Sequence, residues 1–204
     1  MTIPASTASR GDLSEERDLL LRLRDIAPIK GLSHREAQRL AEAQARLMLE
    51  IHNVTDPPVP TALITQLSTL RVRLARSLVL PGMTAWQDDH WEIKLNAKDS
   101  QQDRRITLAH EFKHIIDDRF IRVLYPQLGR MSELDRAEQA AEHFAVSLLM
   151  PADWVRRSWD SGLQRVQELA RVFDVDPVPM CERIRELGLV DTGSDCLHHH
   201  VAPS

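Results

Sequence analysis

The chain has 204 residues, 43% of them hydrophobic, enough to bury a core of ordinary size in one or two domains. Its formal net charge of -4 argues against a protein that works by neutralising phosphates, since such domains carry a basic excess, so direct nucleic-acid binding is not expected. No apolar run approaches the ~20 residues of a membrane span and the first residues lack the basic-then-apolar order of a secretory signal, so the expected location is the cytoplasm, with no membrane partner.

Only 4% of residues are aromatic, while Ala, Leu and Arg recur throughout, which favours helix over sheet. Residues 1–30 read as a flexible leader with one short helix, Glu15 to Asp25. At Ser33 the pattern sharpens, because Ser33-His34-Arg35-Glu36 is a capping box and Ala37, Leu40, Ala41, Leu47, Met48 and Ile51 follow at helical spacing. The prolines of Asp56 to Pro60 stop that helix, and Thr61 opens a short one carrying Leu63, Ile64 and Leu67.

Three segments of strand character come next, Leu70 to Leu74, Met83 to Gln87 and Trp91 to Leu95, with turns at Pro81-Gly82 and Asp88 to His90. They predict a small three-stranded antiparallel sheet. Helical periodicity returns from Ser100 to Arg119 and again from Ser132 to Leu149, where Met150-Pro151 ends it. Residues 163–189 read as two short helices, the second closed by Gly188. The expected class is α+β, mostly helical, with a main domain over 31–155, a small helical extension over 156–190 and a disordered tail over 191–204. Cys181 and Cys196 are the only cysteines, and with the second in the tail both are expected as reduced thiols.

The chemistry lies in His110-Glu111-Phe112-Lys113-His114. Histidines four apart on a helix stand one turn above each other, so both imidazoles can close on one tetrahedral ion. Glu111 then lies beside the ion without ligating it, placed to act as general base toward water. A third ligand is needed. The metzincin continuation requires glycine and histidine where this chain has Asp117 and Phe120, which excludes that class.

On the helix after Ser132, the residues Ala137, Ala140, Ala141, Phe144, Ala145, Leu148 and Leu149 form an apolar arc. Glu138 falls inside that arc, where a carboxylate is costly unless it binds a cation. It is the favoured third ligand, with Glu142 and Glu133 as the other candidates. Glu142, one turn on, is also placed to hydrogen-bond a ligating imidazole and fix its tautomer.

The run Arg105 to His114, the pattern Glu138-x-x-Ala141-x-x-Phe144-Ala145-x-x-Leu148-Leu149-Met150-Pro151 and the segment Trp91 to Asn96 together resemble the ImmA/IrrE-type metallo-endopeptidases, over roughly residues 35–190. The resemblance implies a thermolysin-like zincin core with zinc, or manganese, held by His110, His114 and Glu138 and with Glu111 as base. It implies as partner a protein substrate, typically a helix-turn-helix repressor whose cleavage relieves repression, and a helix-turn-helix-like C-terminal extension. Two positions depart from the family, Lys113 standing where glycine is usual and Glu142 where asparagine is common. Lys113 is expected either to weaken metal retention or to point outward.

Trp91 to Leu95 is expected as the edge strand that pairs with an extended substrate, with Trp91, Ile93 and Asn96 as substrate contacts. Tyr125, the only tyrosine, is the candidate oxyanion donor. His143 reads as a solvated surface residue, and His34, His52 and His90 have no partner legible in the sequence. Two competing readings are a DNA-binding regulator using residues 163–189 with a relict zinc helix, and a protein-binding regulator whose metal is structural. Oligomeric state is open.

Overall fold

The computed structural model describes residues 19–190. The first long helix, α1 (His34–Ile51), starts where the capping box predicts: Ser33 Oγ accepts from the Glu36 amide and the Glu36 carboxylate accepts from the Ser33 amide. A single turn, α2 (Ala62–Thr65), leads into β1 (Leu70–Ala75), β2 (Gly82–Gln87) and β3 (His90–Asn96). The helices α3 (Gln101–Asp117), α4 (Ile121–Leu124), α5 (Glu133–Leu149), α6 (Ala152–Asp160), α7 (Val166–Phe173) and α8 (Pro177–Glu186) complete the fold. Among the described residues, no helix is long and apolar enough to cross a membrane.

The sheet is mixed, which corrects the antiparallel expectation. Its order is β1-β3-β2, with β1 parallel and β2 antiparallel to β3. Within the sheet a two-residue hairpin turn, Asp88-Asp89, joins β2 to β3. The six-residue link 76–81 lets β3 insert between its two predecessors, so neighbours in sequence are not all neighbours in space. Trp91, Ile93 and Asn96 therefore lie on the central strand, hydrogen-bonded on both sides, and cannot pair with a substrate. Ile93 is fully buried, and the Asn96 side chain is bonded to the Leu78 carbonyl and the Lys98 amide.

Among the described residues, the free edge next to α3 is β2 instead. Asn96 and Pro81 are directly opposed, and the Asn96 amide donates to the Pro81 carbonyl. In an antiparallel ladder hydrogen-bonded and non-bonded pairs alternate, so Gly82, Thr84 and Trp86 point their backbone N–H and C=O away from β3, toward the open side.

One sheet face is covered by α3, whose Phe112, Ile115 and Ile116 pack with Ile93 and Leu95 in the main apolar cluster. Behind α3 lies α5, and behind α5 lies α1. The alanines of α5, at 137, 140, 141 and 145, are all buried; small side chains there let helices approach closely on both sides. Ser132 caps α5 through a reciprocal pair of hydrogen bonds with Asp135.

Several expectations need correction. Residues 19–25 are helical, as expected, but docked and not part of a flexible leader: Leu23 is fully buried and Arg24 donates to the carbonyls of Ile115 and Ile116 at the C-terminal end of α3. The helix α6, unread in the sequence, follows Pro151, which caps it and whose carbonyl accepts from the Trp154 and Val155 amides. Leu169, Phe173, Met180 and Ile184 of α7 and α8 join the main cluster, so residues 156–190 share one core with the sheet and α3. Cys181 on α8 is disulfide-bonded, not a free thiol, and its partner lies outside the described residues; sequence spacing carries no information on that proximity.

Candidate metal centre

The functional helix α3 is capped by Ser100 Oγ, which accepts from the Asp103 amide at 2.9 Å. One face carries Leu108, Phe112, Ile115 and Ile116 into the core. His110 and His114 lie on the cleft side, half-buried, with their Nε2 atoms 3.1 Å apart. From the first half of α5, Glu138 crosses to them: Oε2 is 3.1 Å from His110 Nε2 and Oε1 is 3.3 Å from His114 Nε2.

These three donors fit a divalent ion. Ligand atoms about 2.1 Å from a tetrahedral zinc lie about 3.4 Å from one another, close to the 3.1 to 3.3 Å observed. Two imidazole nitrogens and a carboxylate are a common donor set for zinc, and among the described residues no other group of three His, Cys, Asp or Glu side chains converges in this way. Burial holds His114 below its ordinary pKa against the opposing charge of Glu138, which favours the neutral ring that can ligate.

Glu138 arrives there for a reason the helical arc did not give. Its side chain is 54% exposed, so it is not a carboxylate forced into the core. It stands at the boundary where the alanine face of α5 meets α3, and opens onto a cleft of about 540 Å³. Leu80, Gly82, Met83, Thr84, Ile106 and Glu111 are among the residues lining that cleft. Glu111 is only 8% exposed, and its Oε2 accepts a 2.6 Å hydrogen bond from Thr84 Oγ1.

The other sequence candidates fall elsewhere. Glu142 lines the cleft rim but is exposed, and makes no hydrogen bond to either imidazole among the described residues. Glu133 lies near Arg122, outside the cleft lining. Tyr125 is fully buried behind α3, its hydroxyl donating to Asp117 Oδ2 at 2.6 Å, so it is no oxyanion donor. Lys113 does not point outward: it is fully buried and bonded to Asp117 and Tyr125. Nor is His143 solvated, since its Nε2 lies 2.9 Å from Glu42 and its side chain is only 11% exposed. His90 pairs with Asp89 at 3.0 Å.

Sequence reasoning missed Thr84, Gly82 and Asp117. Asp117 was readable as a carboxylate one helical turn after Lys113. Thr84 and Gly82 carried no signal, because the contact joins a strand to a helix 27 residues away.

The comparisons with known proteins bear on the same elements. The model of the peptidase M78 family, described as an IrrE N-terminal-like domain, matches residues 73–185, more than half of the chain and the whole of the site. The chain belongs to the peptidase M78 family. The resemblance read from residues 105–114 and 138–151 thus holds. A search of curated proteins gives no match to this M78 chain. Among solved structures it is similar to a Mycobacterium tuberculosis transcriptional regulator, with a TM-score of 0.59 at 14% identity over 85% of this chain. That likeness concerns the fold, and this chain spans about half (51%) of the regulator's length.

Proposed function

We propose that this M78 chain is a metal-dependent endopeptidase, using zinc or manganese, that hydrolyses a peptide bond in a partner protein. The partner we favour is a helix-turn-helix repressor, whose cleavage would relieve repression. The observation that carries the reading is the convergence of His110, His114 and Glu138 in a cleft that also holds a nearly buried glutamate, beside a strand edge that is unpaired among the described residues.

His110, His114 and Glu138 would hold the ion, which when bound supplies Lewis acidity toward a carbonyl oxygen and acidifies water. Glu111 takes the proton of the attacking water and returns it to the departing amine. The outward backbone groups of Gly82, Thr84 and Trp86 pair with an extended substrate segment, taking the role that the sequence assigned to Trp91 to Leu95. Leu80, Met83 and Ile106 give the cleft an apolar wall.

The test is co-incubation of the zinc-loaded protein with the helix-turn-helix repressor encoded nearest to it, fragments being read by mass. Wild type is expected to cleave, whereas Glu111→Gln abolishes cleavage and keeps its bound metal. A Glu111→Gln protein that relieves repression as well as wild type would instead favour a regulator with a structural ion; the structural neighbour bears the name of a transcriptional regulator.

A further inference from the structure

We infer that Thr84 is a positioning residue for Glu111, and that Gly82 is the clearance that lets it act, so that β2 aligns the base and the substrate together. The inference rests on the peptidase reading above and adds to it the element that orients the base.

The geometry has three parts. First, Gly82 and Thr84 are two apart on β2 and so point to the same side of the sheet, the side covered by α3. An ideal Cβ at Gly82 would lie 2.5 Å from Thr107 Cγ2, 2.9 Å from Glu111 Oε1 and 3.0 Å from Glu111 Cγ. Thr107 and Glu111 are one turn apart on α3, so the strand is pressed against the helix at the base itself, and only glycine leaves room. Second, with the strand this close, Thr84 Oγ1 reaches Glu111 Oε2 at 2.6 Å and stands 3.4 Å from the Glu111 carbonyl. A hydroxyl donating to one carboxylate oxygen fixes the side-chain rotamer and leaves Oε1 to meet water.

Third, the backbone of Thr84 faces the open edge, as the ladder alternation from Asn96 and Pro81 requires. A substrate strand laid along β2 would bond to the main chain of the residue whose side chain holds the base. Registration of the scissile bond against Glu111 then needs no separate element. Displacements near 1 Å at a reacting centre can cost on the order of 100-fold in rate, so the contact is expected to appear in turnover more than in binding.

The test compares zinc-loaded wild type, Thr84→Val and Thr84→Ser, using labelled casein as a general unfolded substrate, bound zinc by elemental analysis, and crystal structures of all three. In Thr84→Val we expect kcat to fall about 10- to 100-fold with KM and zinc content unchanged, and the Glu111 carboxylate to rotate off its wild-type position. Thr84→Ser keeps the hydroxyl and restores both. The inference is overturned if Glu111 stays in place in Thr84→Val, or if activity falls only through KM or through loss of zinc. Should wild type bind zinc and leave casein and repressor intact, the peptidase reading fails, while the Glu111 position in the three crystal structures still decides whether Thr84 orients it.

Discussion

Two ring nitrogens 3.1 Å apart, with carboxylate oxygens at 3.1 and 3.3 Å, crowd four lone-pair donors into one small space. Unprotonated imidazole nitrogens repel at that distance, and a divalent cation relieves every pair at once. Removing the carboxylate should therefore be felt first as lost metal: in Glu138→Ala we expect zinc affinity to drop by more than about 100-fold, beyond the usual effect of losing a supporting hydrogen bond, as measured by competition with a chromophoric chelator. Undiminished affinity would mean that another group completes the site. At this scale the histidines were legible because helical spacing fixes their relation. Glu138 was legible as a position, but the argument from burial was wrong, since it opens onto the cleft.

The helix that carries the histidines is tied down by contacts made from its opposite side. Lys113, on the turn between the two histidines, is fully buried with Asp117 and Tyr125. Burial lowers the lysine's pKa, and the charge of Asp117 opposes that shift. This triad joins the last turn of α3 to the end of α4. Asp117→Ala leaves a buried ammonium without its partner, and we expect a loss of about 3–5 kcal/mol in urea unfolding. The double variant Lys113→Met/Asp117→Asn should recover much of that loss, because an apolar side chain of similar length fills the site without needing a counter-charge. A double variant less stable than Asp117→Ala would show that the ion pair itself stabilises the fold. Lysine at this position was visible in the sequence, yet its direction was not: position 113 lies off the ligand face, and only the packing of α4 and Tyr125 against it makes that side an interior.

Across the whole molecule, the buried tyrosine links stability to pH. Burial, then the charge of Asp117, push the Tyr125 pKa well above its ordinary value of 10.0. The unfolded chain releases that proton near pH 10 while the folded chain keeps it, so the native state binds more protons there and stability falls as pH rises past 10. Tyr125 is the only tyrosine, which makes phenolate absorbance a clean reporter. We expect no phenolate signal until the helical circular dichroism is lost, with both transitions at the same pH; phenolate appearing in the folded protein would refute the linkage. The sequence by itself determined what is local: a capping box at Ser33, helices starting at Ser100 and Ser132, strand segments near their observed bounds, two histidines one turn apart, and motifs specific enough to name the family. Tertiary structure alone decided the sheet order that puts β2 and not β3 at the free edge, the docking of residues 19–25, and the contact of Thr84 with Glu111. Periodicity and capping depend on residues within a turn or two of each other, whereas strand insertion and helix–strand contact depend on which surfaces exclude water together across distant parts of the chain.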